Sequence, residues 1–229
     1  MSLDGYIDDA TGDRLVLSGA ADLDRVDELR ARVDAILAGA GTVRADNPRL
    51  LLRSQARREA RIARGTTPDP LRVVLSHSGQ LDPLARLFTT GSADRLVYVS
   101  SGCAAMAMAR LGGAAQVIDG GDPVDLTGVL ADLAARDIGT LMVEGGTSIL
   151  TQFLASGLAD ELQLAIAPFF VGDSMAPRFT GDGGFPWNSR HPARLVSVSQ
   201  TDNMAILTYA LSNRYKTYDK IRQRPAKHE

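Results

Sequence analysis

The chain has 229 residues, with 25 Lys and Arg against 27 Asp and Glu, and its formal net charge is -2. This length can bury a substantial core, and 45% hydrophobic with 23% charged residues is the composition of an ordinary globular protein. The small net charge gives no general attraction for nucleic acid or for an anionic membrane surface. We therefore expect a small-molecule partner.

The single cysteine, Cys103, excludes an internal disulfide and any cysteine-cluster zinc site. No run approaches the roughly 20 apolar residues of a membrane span, and the amino terminus lacks the basic and apolar regions of a signal peptide. These features predict a cytoplasmic protein.

The first elements in chain order are a helix and a buried strand. Leu23, Val26, Leu29 and Val33 fall at spacings of three and four, which predicts one face of a helix, with Asp22 as its cap. A buried strand follows over 35–40. The basic stretch 53–65 has no aromatic residue that could stack on bases, so we expect a solvated helix or loop there.

The middle of the chain continues as alternating strands and helices. Clusters of β-branched and large apolar residues predict strands at 72–76, 95–100, 115–119 and 139–146. Helices are predicted between them at 82–88, 102–111 and 125–136. This alternation implies a mostly parallel sheet covered by helices on both faces.

The last third departs from this alternation. Residues 160–168 alternate polar and apolar, and 193–200 meets 204–211 across Thr201-Asp202-Asn203, which predicts a closing antiparallel hairpin. We expect a single domain over 1–211, followed by a polar tail over 212–229.

The first candidate site is "GAGTVRADNPRL" at 39–50, directly after a predicted strand. Gly39 and Gly41 let the backbone approach a ligand, Thr42 offers a hydroxyl, and Asp46 can accept a hydroxyl or cap a turn. The stretch lacks the third glycine of a Rossmann fingerprint and the Lys of a P-loop. Taken alone, it predicts an ordinary turn.

The second candidate site is "VEGGTSILTQFL". Gly145 and Gly146 remove side chains at a bend, and Thr147 or Ser148 can cap a helix, which suits a phosphate or pyrophosphate. A capped helix that binds nothing is the alternative. Glu144 ends an apolar strand, where a carboxylate is costly unless it is paired or faces a ligand, so it is a candidate site residue.

The blocks "SLDGYI", "AILAGAGTVRADNPRLLLR" and "LMVEGGTSILTQFLASGLADELQLAIAPFFVG" occur in the same order in the pyrimidine reductases of riboflavin biosynthesis, which the chain resembles from residue 2 to about 211. The resemblance implies an α/β fold like that of dihydrofolate reductase, a three-layer αβα sandwich with a mostly parallel central sheet closed by a C-terminal antiparallel hairpin. It also implies a homodimer.

The activity that the resemblance implies is an NADPH-dependent reduction. Members of the family reduce the ribosyl group of 5-amino-6-(5-phosphoribosylamino)uracil, or of its 2,5-diamino precursor, to a ribityl chain. The nicotinamide supplies the hydride, so neither a metal nor a nucleophilic cysteine is required.

The cofactor contacts are carried over by motif. Thr42 and Asp46 would touch the dinucleotide. The segment from Gly146 through Gln152, which includes Thr147 and Ser148 and follows Gly145, would cradle its pyrophosphate. His77 stands where the family pattern differs, so it is not carried over by motif; we expect it to face the adenosine ribose or its 2′-phosphate, with a plain loop histidine as the alternative.

The substrate contacts follow in the same way. Arg30, Leu50 and Arg53 would line the substrate, and the two arginines would bind its phosphate by charge-assisted hydrogen bonds, unless they are ordinary surface charges. Glu144 and Asp4 are the acids expected to orient the substrate or relay a proton. For Asp4 the alternative is a turn before Gly5.

The chain departs from the family pattern at three places: no strand precedes "SLDG", Tyr6 stands where many members have Lys, and Ser76-His77 replaces a common Asp-Ser. The zinc motif of the bacterial deaminase partner domain is absent, so a stand-alone reductase is expected. Two alternatives stay open: a same-fold reductase of a pterin, folate or secondary metabolite, and a nucleotide-binding protein without turnover.

Overall fold

The computed structural model describes residues 1–11 and 15–215. The chain divides into two compact units, one formed by Asp27–Ile149 and the other by Met1–Val26 with Leu150–Glu229. The single domain expected over 1–211 stays a prediction. Of the polar tail predicted over 212–229, residues 216–229 lie outside the described residues.

A five-stranded parallel sheet is the centre of the unit Asp27–Ile149, with strand order β4-β3-β2-β1-β5. Its strands are β1 (Ala35–Gly39), β2 (Leu71–Ser76), β3 (Arg95–Val99), β4 (Gln116–Asp119) and β5 (Leu141–Val143). Ala35, Ile36, Leu37 and Ala38 are completely buried, as expected for a parallel strand covered on both faces. The predicted mostly parallel sheet is confirmed.

Helices connect the strands of this unit. They are α2 (Ala40–Asp46), α3 (Gln55–Ala63), α4 (Arg86–Thr89), α5 (Ala104–Leu111) and α6 (Leu126–Ala135), while α1 (Ala20–Arg32) and α7 (Thr147–Ala155) contain the unit boundaries. Val74 and Val97 of the sheet share one hydrophobic cluster with Leu87 and Leu111 of the helices.

The glycine stretch after β1 is a helix and not the turn that the sequence predicted. Helix α2 buries Ala40 and Val43, which lie three positions apart, and it ends at Asn47, whose backbone is left-handed (φ 43°). The helical spacing of these two buried residues lets the segment pack against the sheet as a helix, even though Gly41 is a poor helix former.

Two other predictions need correction at their ends. β5 stops at Val143 instead of 146, because Gly145 and Gly146 have φ of 100° and 72°, outside the strand region. The helix predicted at 82–88 is confined to Arg86–Thr89, since the Asp82 carboxylate accepts the Leu84 N–H in a turn (2.9 Å).

Two charged residues were also misassigned. Asp22 is buried inside the first turn of α1, where it pairs with Arg25 (2.7 Å), so it is not the cap. The stretch 53–65 does form helix α3, but Arg61 is not solvated: it is 4% exposed and donates to the carbonyl oxygens of Ala31 and Val33.

A three-stranded antiparallel sheet belongs to the unit of Met1–Val26 and Leu150–Glu229. Its strands are β6 (Glu161–Ile166), β7 (Arg194–Thr201) and β8 (Met204–Ala210), in the order β6-β8-β7. The predicted hairpin of β7 and β8 is confirmed, with Asp202 in its turn at φ 49°. The hairpin pairs with β6 in a separate sheet instead of joining the parallel one.

Within the described residues, no helix is both long enough and apolar enough to cross a membrane.

Candidate active site

The two predicted strand exits lie side by side. β1 pairs with β5 in parallel, Gly39 N–H donates to the Gly145 carbonyl (3.4 Å), and Glu144 N–H donates to the Leu37 carbonyl (2.8 Å). Both exits are at the carboxyl ends of their strands, where parallel sheets bind ligands. The structure therefore brings "GAGTVRAD" and "VEGGTSIL" to one edge of the sheet.

Bare backbone lines this edge because side chains would collide there. A Cβ on Gly146 would stand 2.9 Å from Oγ1 of Thr42, and a Cβ on Gly39 would stand 2.6 Å from Cγ1 of Ile149. Gly145 and Gly146 also have positive φ, a conformation that glycine adopts without steric cost. Thr42 and the glycine pair are thus direct neighbours.

Three other predicted cofactor residues, Asp46, Thr147 and Ser148, lie on the helices that follow the two strand exits. Asp46 lies four residues after Thr42 on α2, hence on the same face of that helix. Thr147 and Ser148 form the first turn of α7, whose amino end carries backbone N–H groups without helical acceptors. A helix start after two glycines is suited to an anion.

Glu144 is paired with Arg30. The guanidinium donates from Nε to Oε1 (2.6 Å) and from Nη2 to Oε2 (2.5 Å), and its Nη1 donates to the Leu51 carbonyl (3.2 Å). The two side chains are 16% and 14% exposed. Burial lowers the pKa of Arg30, but the hydrogen bonds and charge of Glu144 and the charge of Asp27 outweigh burial and leave the pKa above its ordinary value.

The ion pair with Arg30 offsets the free-energy cost of placing the Glu144 carboxylate at the end of an apolar strand. Arg30 is neither a solvent-exposed surface charge nor an uncommitted phosphate ligand, because it uses three of the five N–H donors of its guanidinium on Glu144 and Leu51. Arg30 and Glu144 were predicted separately, and the structure joins them.

The predicted substrate residues Leu50 and Arg53 occupy the segment before α3. Leu50 has φ of 50°, an uncommon conformation for a residue with a side chain, and it packs in the hydrophobic core at 3% exposure. The Arg53 side chain is exposed. Its backbone N–H donates to Oδ1 of Asp27 (2.6 Å).

The guanidinium of Arg53 differs from its neighbours in the basic stretch. Arg57 pairs with Asp27 (3.0 Å), and Arg58 pairs with Asp69 (3.2 Å). Among the described residues, the Arg53 guanidinium makes no hydrogen bond or ion pair.

Asp27 is a residue that the sequence argument missed. Its side chain is 2% exposed, and it accepts from Arg53 N–H, Ser54 N–H (3.2 Å) and the Arg57 guanidinium. Burial raises the pKa of Asp27, but these hydrogen bonds bring it below its ordinary value. A signal existed in the sequence, because Asp27 lies four residues after Leu23 on the face of α1 that was predicted to be apolar.

His77 lies at the end of the strand next to β1. His77 follows β2, and its Nδ1 is 2.7 Å from Oγ of Ser100 after β3, so it stands on the same edge of the parallel sheet as the glycines. Ser76 is buried, and its hydroxyl accepts the Gly79 N–H (2.9 Å). Ser76 thus supports the turn that carries His77.

Asp4 belongs to the other unit. Its carboxylate accepts from the Ser2 hydroxyl (2.5 Å) and from the N–H groups of Val171 (3.1 Å) and Gly172 (2.8 Å). The hydrogen bond from Ser2, followed by those from the two backbone groups, lowers the pKa of Asp4 to about 2. An acid that stays ionised at neutral pH accepts hydrogen bonds and does not donate a proton.

Tyr6, the residue after "SLDG", is also in this unit. It is buried, its hydroxyl accepts from Nη2 of Arg178 (3.0 Å), and the Arg178 guanidinium lies 4.8 Å from the centre of its ring. A cation therefore stands beside Tyr6 even though the side chain itself is neutral.

A cleft of about 550 Å³ opens at the opposite edge of the parallel sheet, by the amino ends of its strands. Its walls include Asp34, Asp69, Asp94, Arg61 and Arg95. It is distinct from the glycine-lined edge at the carboxyl ends of the strands. Among the described residues, no three His, Cys, Asp or Glu side chains are grouped as a metal site would need.

A parallel sheet with helices between its strands and a glycine-lined edge at their carboxyl ends is the α/β architecture in which ligands bind at that edge. The family described as the RibD C-terminal domain matches residues 1–207, and the chain belongs to this family. This confirms the family to which the sequence motifs pointed.

Among its relatives are two proteins named 2,5-diamino-6-ribosylamino-4(3H)-pyrimidinone 5′-phosphate reductase. The one from Archaeoglobus fulgidus is 37% identical over 177 residues, which is 77% of this chain and 80% of that protein. The one from Methanothermobacter thermautotrophicus is 37% identical over 173 residues, covering 75% and 76% of the two chains.

Solved structures share the fold. A pyrimidine reductase-like protein from Corynebacterium diphtheriae superposes with a TM-score of 0.76 at 23% identity, over 91% of this chain and 88% of that chain. RibD from Acinetobacter baumannii superposes with a TM-score of 0.72 at 26% identity, over 91% of this chain and 55% of that chain. The chain thus spans about half the length of that RibD, and the predicted fold class is confirmed.

Proposed function

We propose that this chain is an NADPH-dependent reductase of riboflavin biosynthesis that converts the ribosyl group of a phosphoribosylated aminopyrimidine to a ribityl chain. The substrate is 5-amino-6-(5-phosphoribosylamino)uracil or its 2,5-diamino precursor, the class of compound named for the relatives. The proposal treats residues 1–211 as one reductase domain.

The glycine-lined edge supports the choice of a dinucleotide. The Cβ that Gly146 lacks would come within 2.9 Å of Thr42 Oγ1, so glycine at this position lets the Thr42 hydroxyl and the backbone of the glycine pair lie next to each other, where one pyrophosphate can reach both. In the proposal, Gly145, Gly146 and the first turn of α7 with Thr147 and Ser148 hold the pyrophosphate. Thr42 and Asp46 hold the neighbouring part of the dinucleotide.

His77 completes the proposed cofactor site. It stands at the end of β2, the strand next to β1, and therefore on the same edge of the sheet. We assign it to the adenosine ribose or its 2′-phosphate. A reduced nicotinamide, when bound, supplies the hydride.

The observation that carries the substrate assignment is the uncommitted guanidinium of Arg53. Arg57 and Arg58 are already paired with Asp27 and Asp69. Among the described residues the Arg53 guanidinium has no such partner, and a guanidinium binds phosphate oxygens bidentately. Arg53 is therefore the proposed phosphate ligand, beside the backbone of Leu50.

Glu144 and Arg30 act as one unit in the proposal. Arg30 fixes both carboxylate oxygens of Glu144, so the Glu144 carboxylate is held in one orientation and orients the sugar or the aminopyrimidine by accepting hydrogen bonds. Arg30 contributes its remaining N–H donors to the substrate. Asp4, which is ionised at neutral pH, serves as a hydrogen-bond acceptor and does not supply the proton.

The test follows the loss of reduced-nicotinamide absorbance with the phosphorylated substrate and with its dephosphorylated form. Arg53→Ala should raise KM for the phosphorylated substrate by roughly 10- to 100-fold, the equivalent of one charge-assisted contact, and leave KM for NADPH nearly unchanged. Arg110→Ala, which removes an exposed charge on α5, is the matched control.

The outcomes separate the alternatives. A wild-type chain that binds NADPH but does not oxidise it with either substrate would contradict the proposed function. Equal losses of NADPH and substrate affinity in Arg53→Ala would contradict the role of Arg53 as the phosphate ligand. They would not contradict the proposed reductase activity.

The proposal includes a homodimer in the cytoplasm. Leu195 and Val198 are 49% and 63% exposed on β7, an edge strand of the antiparallel sheet, and exposed apolar residues on a sheet edge favour association with a second copy. The single cysteine is unpaired, which suits a reducing compartment.

A further inference from the structure

Asp27 binds the backbone on which the proposed phosphate ligand stands. Its Oδ1 accepts from Arg53 N–H (2.6 Å), and its Oδ2 accepts from Ser54 N–H (3.2 Å) and from Nη1 of Arg57 (3.0 Å). Ser54 is the N-cap of α3. The carboxylate therefore occupies the amino end of that helix and fixes the position of the Arg53 backbone.

Two residues on one turn of α1, Asp27 and Arg30, bind both the segment 51–54 and Glu144. Arg30 lies three residues after Asp27, hence on the same helix face, and it binds the Leu51 carbonyl (3.2 Å) as well as Glu144. Residues 51, 53 and 54 are thus fastened to α1 through backbone atoms. Asp27 and Arg30 together fix the distance between the Arg53 backbone and the Glu144 carboxylate.

Asp27 also determines which of the nearby arginines is available to bind a phosphate. It neutralises Arg57, and its charge contributes to the raised pKa of Arg30. With Arg57 already paired with a carboxylate, an incoming phosphate finds the Arg53 guanidinium as its partner. The buried position of Asp27, at 2% exposure, keeps it from touching a substrate itself.

We propose that Asp27 is a positioning residue for sugar-phosphate recognition, which acts through the backbone of Arg53 and Ser54 and through Arg30. The inference rests on the proposed function, because it assumes that Arg53 binds the phosphate. Asp27 makes no contact with the reacting atoms in this account. Its loss therefore affects substrate KM and leaves kcat and NADPH binding nearly intact.

The experiment compares wild type, Asp27→Asn and the control Asp34→Asn. Asp34 likewise accepts two backbone N–H groups, those of Gly139 and Thr140, but it precedes β1 at the far edge of the sheet. Asp27→Asn should raise KM for the phosphorylated substrate about tenfold, with kcat changed less than about twofold. Asp34→Asn should lower the melting temperature without changing KM.

A double-mutant cycle identifies the route of the effect. If Asp27 acts through Arg53, adding Asp27→Asn to Arg53→Ala should raise KM little further, since neighbouring residues in one network are not additive. Full additivity would overturn the proposal. So would an Asp27→Asn variant that folds and keeps the wild-type KM.

Binding of ribose 5-phosphate, followed by calorimetry, separates this inference from the proposed function. Affinity that falls about tenfold in Asp27→Asn supports the inference even if the wild-type chain shows no turnover. Affinity that is absent from the wild-type chain would overturn it. If Asp27→Asn does not fold, Asp27→Glu, which keeps the charge but displaces the oxygens, should raise KM several-fold, and an unchanged KM would count against positioning.

Discussion

Replacing Arg30 by methionine tests whether the pair with Glu144 holds the edge of the parallel sheet. The substitution keeps most of the side-chain length and removes the charge and three hydrogen bonds, two to Glu144 and one to the Leu51 carbonyl. Glu144 would then be a carboxylate at 14% exposure without its cation. We expect the variant to fold with a clear loss of stability.

The magnitude follows from the exposure of the two side chains. An exposed pair contributes about 0–1 kcal/mol, whereas removing one partner of a fully buried pair costs about 3–5 kcal/mol. With 16% and 14% exposure, we expect about 2–4 kcal/mol, after allowance for solvent screening. At about 2–4 °C per kcal/mol for a chain of this size, the melting temperature should fall by roughly 4–16 °C.

Arg32→Met provides the control on the same helix. Arg32 pairs with Glu28, but these side chains are 45% and 47% exposed, so its loss should cost no more than about 1 kcal/mol. Thermal and urea unfolding of both variants give the comparison. If the two variants unfold at the same temperature and urea concentration, the reasoning about the buried pair is wrong.

Three further predictions concern other parts of the chain. Gly146→Ala should lose about 1–2 kcal/mol in urea unfolding and weaken NADPH binding, since its φ is 72° and its Cβ would meet Thr42. Gly41→Ala, in helix α2 with open space around its Cβ, should lose no stability, because alanine is the better helix former. Because the pKa of Asp4 is lowered from 3.8 to about 2, its stabilisation should be present above pH 3.8 and lost as the pH falls through about 2. Melting curves of wild type and Asp4→Asn should therefore differ at neutral pH and converge in strong acid, and a constant difference would refute this role. Val198→Glu should convert the proposed dimer to a monomer in sedimentation, whereas a wild-type chain that is already monomeric would contradict the dimer.

The sequence was sufficient for the elements whose signal is local. Runs such as Ala35 to Ala38 and Val73 to Leu75 are continuous and apolar, as parallel strands buried on both faces require. The hairpin of β7 and β8 has alternation and a short turn. The glycine pair before α7 indicated a bend, although the strand predicted to run to 146 ends at Val143.

The features that sequence did not predict depend on contacts between distant residues. Nothing near Arg30 indicates that its partner is Glu144, 114 positions away. The burial of Asp27 depends on the fold of residues 53–57, and the left-handed backbone of Leu50 has no local signal such as glycine. For Thr42, the sequence suggested a turn, and the helix became apparent only from the packing of Val43 against the core.

The most direct test of the account uses NADPH that carries deuterium at the transferable position of the nicotinamide. Incubation with the phosphoribosylated aminopyrimidine should give a ribityl product with one deuterium on the carbon that was the anomeric carbon of the ribose, detected by mass spectrometry and NMR. Oxidation of the cofactor without deuterium at that carbon, or no oxidation at all, would contradict the proposed reaction.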